Sequence, residues 1–377
     1  MPCRKTLHKY LNPRNYKLLL MSEITSNMEL SHPYDELTPD CILNAIESTG
    51  LVCDGRLFSL NSYENRVYQI GLDESITVPI SDELQNVVIA KFYRPHRWST
   101  EAIQEEHALV ESLHEREIPV IAPLHLTQSG IKDDEKTLHE FNGFRFAIYP
   151  RCIGRSPEFD HPDVFRWMGR FIARIHAVGS LEGFAHRPKL DITSFGTDPK
   201  DWLLDHHFIP DDIEKAWQSV VEQALEGVQR CYERAGKIDL IRLHGDCYAG
   251  NVIWKEDDNS PGPHFVDFDD SRMGPAIQDL WMLLSGNENS MSRQFTELMN
   301  GYREFFDFNP NELYLIEALR TLRLLHYSAW LAKRWSDPAF PLAFPWFNTQ
   351  RYWQDRILEL REQISLMNEA PLQIENV

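Results

Sequence analysis

Three residues near the middle of the chain have the types and spacing that phosphoryl chemistry needs. Asp246, in Leu243-His244-Gly245-Asp246, is followed five residues later by Asn251 and sixteen residues after that by Asp267, in Val266-Asp267-Phe268-Asp269-Asp270. Moving a phosphoryl group from a nucleotide to a hydroxyl takes one acid–base group at the hydroxyl and hard oxygen ligands for the metal on the phosphates. Asp246 suits the first task, orienting an acceptor hydroxyl and taking its proton. Asn251 and Asp267 suit the second, because Mg2+ prefers oxygen donors, keeps water and borrows its other ligands from phosphate. Singly, each reads as an ordinary turn or strand-end polar residue. Together, at this spacing, they outweigh that reading.

A nucleotide needs further contacts. Lys91 closes the apolar run Val87-Val88-Ile89-Ala90-Lys91. Such a lysine either snorkels to solvent or reaches a phosphate and needs a carboxylate to hold it. Glu106, fifteen residues on, is the expected partner; Glu105 would point about 100° away on a helix. The polar turn Asn61–Arg66 has no glycine, and Ser62 offers its N–H and hydroxyl to a phosphate. Tyr149-Pro150-Arg151-Cys152 is placed to meet an adenine. Asp279 starts an apolar helix and is expected to brace the Asp246 loop.

The elements that must position these residues fall in two groups. Thr38-Pro39-Asp40 is a helix start, with Thr38 as cap and Pro39 in the first turn. Residues 57–60 and 67–70 form a hairpin, 86–93 a third strand and 100–114 a helix, and strands at 124–126 and 144–149 lead to Pro150. This is a small, mostly antiparallel β lobe with one key helix. After residue 155 helical periodicity dominates, over 161–178, 211–236, 276–285, 290–307, 310–335 and 349–366. The exceptions are strands at 252–254 and 265–267 around the turn 257–262. The expected class is α+β: an ATP-binding lobe over 35–150 and a larger, mainly helical catalytic and substrate lobe over 151–377. Residues 1–34, basic near the start, read as a disordered extension, with Met21 and Met28 as alternative starts.

Composition narrows the partners. The chain of 377 residues has 38 basic and 57 acidic side chains, a formal charge of −19, and 42% hydrophobic residues. So acidic a surface repels a nucleic-acid backbone, and the apolar runs are too short to span a bilayer. The six cysteines are scattered without a CxxC pair, as expected of reduced thiols in the cytoplasm. The expected partners are ATP and a hydroxyl-bearing acceptor, with neither nucleic acid nor membrane, and the expected state is a monomer.

His-Gly-Asp-x-x-x-x-Asn followed by an apolar-Asp-x-Asp strand end resembles the aminoglycoside phosphotransferase/choline kinase superfamily. Within it, Leu60 to Tyr68, Lys91-Phe92-Tyr93-Arg94-Pro95, Leu243 to Asn251, Gln278 to Leu284 and Arg334 to Pro341 are similar to the bacterial stress response kinase group. The resemblance spans about residues 35–373. It implies a two-lobed protein-kinase-like fold and a cytoplasmic, Mg2+- and ATP-dependent serine/threonine protein kinase. Carried over by position, Asp246 is the proton acceptor, Asn251 and Asp267 bind Mg2+, and Ser62 lies at the ATP site; Lys91 and Glu106 follow the broader kinase-like pattern. Two departures stand out. Gly245 replaces the arginine that precedes the catalytic aspartate in protein kinases. Only eleven residues lie between Asp267 and Asp279, too few for a long activation segment. The residues themselves leave the acceptor open between a protein hydroxyl and a small alcohol such as homoserine or choline.

Overall fold

The computed structural model describes residues 32–73, 78–80, 83–127, 135–256 and 262–373. Nearly all of the expected extension, and the 257–261 part of the expected turn, lie outside them. The described chain opens at His32, and Tyr34 already packs: its ring stacks on Phe144, Arg66 lies over it at 4.3 Å, and its hydroxyl donates to the Glu64 carbonyl.

Helix α1 (Pro39–Glu47) starts as the sequence predicts, with the Thr38 hydroxyl accepting from Cys41 N–H. Strands β1 (Cys53–Ser59) and β2 (Arg66–Leu72) form the expected hairpin, with Leu57 opposite Ile70. A small ribbon of β3 (Val78–Ile80) and β4 (Glu83–Gln85) precedes β5 (Val87–Phe92). Helix α2 (Thr100–His114) follows, capped by the Ser99 hydroxyl. Strands β6 (Leu126–Thr127) and β7 (Glu135–Lys136) pair only with each other, and β8 (His139–Phe141) turns into β9 (Phe144–Pro150). The main sheet has the order β1-β2-β5-β9-β8, all antiparallel. The strand expected at 124–126 is reduced to its last residue, although Leu124 N–H still donates to the Ile148 carbonyl.

Period-two alternation gives this sheet two faces. Val88, Ala90 and Phe92 join Ile70, Phe146 and Ile148 against Ile42 and Ile46 of α1. Each such burial is worth roughly 1.5–3 kcal/mol. Lys91 therefore falls on the other face, toward α2.

Beyond Pro150 the chain is mainly helical: α3 (Pro162–Gly179), α4 (Asp198–Asp205), α5 (Glu214–Ala235), α6 (Ile277–Trp281), α7 (Glu288–Tyr302), α8 (Ile316–Lys333), α9 (Ala339–Ala343) and α10 (Gln350–Leu366). Four short strands interrupt it. β10 (Ile241–Leu243) pairs with β13 (Arg272–Gly274), and β11 (Val252–Lys255) with β12 (Gly262–Phe265). The helix expected over 310–335 is broken into a 3-10 turn, Pro310–Leu315, and α8. Pro310 starts the first turn, and Glu312 leaves the helix pattern to bond elsewhere. Helices α4 and α9 were not expected: both are short, and each carries a proline. Helices α3 and α7 press together where side chains are missing. A Cβ on Gly169 would lie 2.0 Å from the Leu298 carbonyl oxygen.

Candidate active site

The β11–β12 pairing sets the geometry. Val252 faces Phe265, and Val266 N–H donates to the Asn251 carbonyl. Asn251 and Asp267 are thereby brought alongside each other at one end of the ribbon, although sixteen residues separate them in sequence. Asn251 closes a 3-10 turn, Ala249–Asn251. Its side-chain N–H donates to the Asp246 carbonyl at 2.9 Å and to Asp246 Oδ2 at 3.2 Å, which leaves its amide oxygen for a ligand. Asp267 sits just past the strand with φ 60° and ψ 65°, a left-handed conformation that aspartate tolerates better than most residues. Its carboxylate is half exposed.

Asp246 is held from below. Asp279 accepts from His244 N–H at 2.8 Å and from Gly245 N–H at 2.9 Å, and it pairs with His176 Nε2 at 3.2 Å. Tyr302 in turn bonds His176 Nδ1. Gly245 has φ +88°, and a Cβ there would lie 2.1 Å from the Asp270 carbonyl oxygen. This is a physical reason for glycine where protein kinases carry arginine: the loop crosses the 268–271 turn too closely for any side chain. The Asp246 Oδ1 atom is buried, and its ion-pair partner among the described residues is Arg323, 2.9 Å away. Burial pushes the Asp246 carboxyl up, and the Arg323 guanidinium opposes that shift.

Lys91 Nζ lies 3.4 Å from Glu106, 3.1 Å from Asp267 and 3.4 Å from Asp269. Burial works to discharge it, but these three carboxylates more than offset that and hold its pKa well above the ordinary lysine value. Glu106 has a second partner, Arg187 Nη2 at 2.8 Å. Arg187 is fully buried and also donates to the carbonyls of Ala102, Asp269 and Ser271. Glu105 does not face the lysine; it accepts from the backbone N–H groups of Ala185, His186 and Arg187. Helix α2 is thus locked in place by the 185–187 loop.

Asp269 and Asp270 belong to a 3-10 turn, Phe268–Asp270, and both engage Arg97. Other residues escape sequence reasoning because their partners lie far along the chain. Glu64, in the turn Asn61–Arg66, pairs with Arg334, and Arg94 pairs with Asp337 at 3.0 Å. Arg323 Nη1 lies 2.9 Å from Asp246 Oδ1. The segments 91–95 and 334–341, both part of the resemblance, touch in space through the Arg94–Asp337 pair.

These groups surround one cavity of about 690 Å³ between the sheet and the helices. Ser62, Lys91, Glu106, Asp246, Asn251 and Asp267 all line it, as do Tyr149, Pro150 and Cys152 of the segment joining the two halves. Apolar walls from Ile89, Ile121 and Ile253 adjoin that segment, as a flat base requires. Cys247 is buried away from chemistry, its thiol pushed up by burial and by the charges of Asp279 and Asp246. Among the described residues, no group of three or more His, Cys, Asp or Glu is arranged to hold a metal. A cation here would rest on Asp267, the Asn251 amide oxygen and oxygens from ligand and water.

A five-stranded antiparallel sheet over a helical half, with this cavity between them, defines a kinase-like phosphotransferase. The family model described as "Phosphotransferase enzyme family" matches residues 57–316, and the chain belongs to that family. It is 38% identical over 341 residues to "Stress response kinase A" of Escherichia coli (strain K12), covering 90% of this chain and 97% of the relative. The same identity and coverage hold for "Serine/threonine protein kinase RdoA" of Salmonella typhimurium. Among solved structures it resembles an amicoumacin kinase in complex with AMP-PNP and Ca2+ (TM-score 0.65, 18% identity, 93% of this chain and 97% of the other). It also resembles a microcompartment-associated aminopropanol kinase (TM-score 0.61, 15% identity, 86% and 96%). The fold is the kinase-like one, and the chain is a kinase. No helix among the described residues is long and apolar enough to cross a membrane.

Proposed function

We propose that this chain is a Mg2+- and ATP-dependent serine/threonine protein kinase of the stress-response type. It moves the γ-phosphoryl of ATP to a protein hydroxyl. One observation supports the reading: the largely buried Asp246 carboxylate, paired through Oδ1 with Arg323, stands at a cavity that also presents Lys91, Asn251 and Asp267. In this reading Asp246 orients the acceptor and takes its proton. Asn251 and Asp267 hold Mg2+, which neutralises phosphate charge when bound. Lys91, kept charged and aimed by Glu106, meets phosphate, and Ser62 meets it from the turn above. The names of the relatives support the protein acceptor and the stress role. The free thiols among the described residues fit a cytoplasmic location, and the lobes divide near Pro150.

A small-alcohol acceptor is the second reading. Its support is a narrowing of the cavity, which Tyr63 and Phe344 both line with ring centroids 4.9 Å apart. Labelled ATP offered to a generic basic protein and to an amino-alcohol panel separates the two; transfer only to a metabolite rejects the protein kinase. In the same assay Asp246→Asn is expected to lose at least ~10²-fold in turnover with ATP binding kept. An unchanged rate rejects Asp246 as the base.

A further inference from the structure

Of the cations lining the cavity, Lys91 and Arg97 are already committed. Lys91 has three carboxylates around it, and Arg97 has Asp269 and Asp270. Arg323 differs. Its side chain is 40% exposed, and its one ion-pair partner among the described residues is Asp246. It stands on α8 four and seven residues before Tyr327 and Trp330, on one helical face, and all three line the cavity. The 2.9 Å pair with Asp246 Oδ1 and a long contact with the Met282 sulfur at 3.9 Å both use Nη1, so the N–H groups of Nη2 and Nε are not consumed by them. The loop after the aspartate, Cys247-Tyr248-Ala249-Gly250, brings no cation of its own.

A phosphoryl group in transfer spreads negative charge over three equatorial oxygens, with entering and leaving oxygens in line. The entering oxygen is the one whose proton Asp246 takes. A cation touching Asp246 is therefore within reach of the transferring group. We propose that Arg323 is a catalytic residue: it steadies Asp246 before reaction and donates hydrogen bonds to the transferring phosphoryl oxygens, a charge the loop does not supply. This rests on the phosphotransferase reading above. In the step, the hydroxyl oxygen bonds to the γ-phosphorus as the bond from that phosphorus to the ADP oxygen breaks. The bonding pair leaves with ADP, the hydroxyl proton passes to Asp246, and Arg323 stays a guanidinium throughout.

The test uses the full chain with Mg2+-ATP and two acceptors, water (phosphate release) and a generic basic protein (label transfer). Arg323→Met is expected to lower kcat by about 10²- to 10³-fold with both acceptors, the scale of a transition-state charge contact. KM for ATP should stay within about 3-fold, because the contact strengthens only in the transition state. Arg323→Lys should recover part of kcat, and methylguanidinium should restore part of the activity of Arg323→Ala; that rescue decides the matter if Arg323→Met folds poorly. Unchanged kcat, or no rescue, overturns the proposal. So does a raised KM for the protein acceptor with normal phosphate release, which makes Arg323 an acceptor-binding residue. A wild-type chain inactive with both acceptors and with the amino-alcohol panel overturns the phosphotransferase reading itself.

Discussion

Glu64 and Arg334 lie 270 residues apart in sequence, yet Arg334 Nη2 donates to Glu64 Oε1 at 2.9 Å. Arg334 Nε is 2.6 Å from the other oxygen, and the Trp330 indole N–H also donates to Glu64. The turn Asn61–Arg66, which lines the cavity, is thereby tied to the C-terminal end of α8. Arg94 and Asp337 add a parallel tie. Where ordinary protein kinases carry a glycine-rich loop, this chain has a polar turn held by ion pairs.

Because both partners of that tie are largely buried, removing one strands the other's charge. Glu64→Gln and Arg334→Met should couple by about 1–3 kcal/mol in a double-mutant cycle of urea unfolding. Glu64→Gln should also raise KM for ATP several-fold, since the turn loses its anchor. Additive stabilities in the cycle would show that the pair does no such work.

Gly245→Ala introduces a Cβ 2.1 Å from a backbone oxygen at φ +88°. Left-handed strain and overpacking together should cost about 2–4 kcal/mol. Turnover should fall further than stability does, because the displaced residue is next to Asp246. Wild-type turnover from this variant would contradict the geometry.

Asp267→Ala removes a carboxylate from the proposed cation pair, while Lys91 keeps Glu106 and Asp269. The Mg2+ concentration for half-maximal activity should rise by at least ~10-fold, or activity should vanish. A Mg2+ titration that overlays wild type would remove Asp267 from the site.

Glu312 links pH to the support of the catalytic loop. It is buried and accepts from Ile277 N–H at the start of α6, the helix that carries Asp279. Burial pushes its carboxyl from 4.5 up to about 7. The folded state therefore binds the proton more tightly than the unfolded chain does. That stabilisation is full below pH 4.5 and is lost as pH rises toward 7, by roughly 3 kcal/mol. Unfolding free energies of wild type and Glu312→Gln measured between pH 4.5 and 7 should diverge, the wild type losing stability relative to the variant. Parallel pH curves would show that Glu312 titrates normally.

Local signals carried far here. Thr38-Pro39, the apolar run Val87 to Lys91 and the helical periodicity over 100–114 are short-range features, and the elements they announce formed with boundaries within a few residues. The same holds for the spacing of Asp246, Asn251 and Asp267, since a loop, a turn and a ribbon end are built from neighbouring residues. Short helices such as α9 gave no such signal, because five residues are too few for a helical period to show.

The sequence by itself thus determined the two-part α+β architecture and which residues the cleft would present, because side-chain type and periodicity are local properties. What only the tertiary structure decided is which distant charges meet: Glu64 with Arg334, Glu106 with Arg187, and Asp246 with Arg323. A buried charge must find an opposite charge, but nothing in its neighbours along the chain says which one. That choice is made by packing of the sheet against the helices, and among the described residues it sets the Arg323 guanidinium beside Asp246 at the cavity.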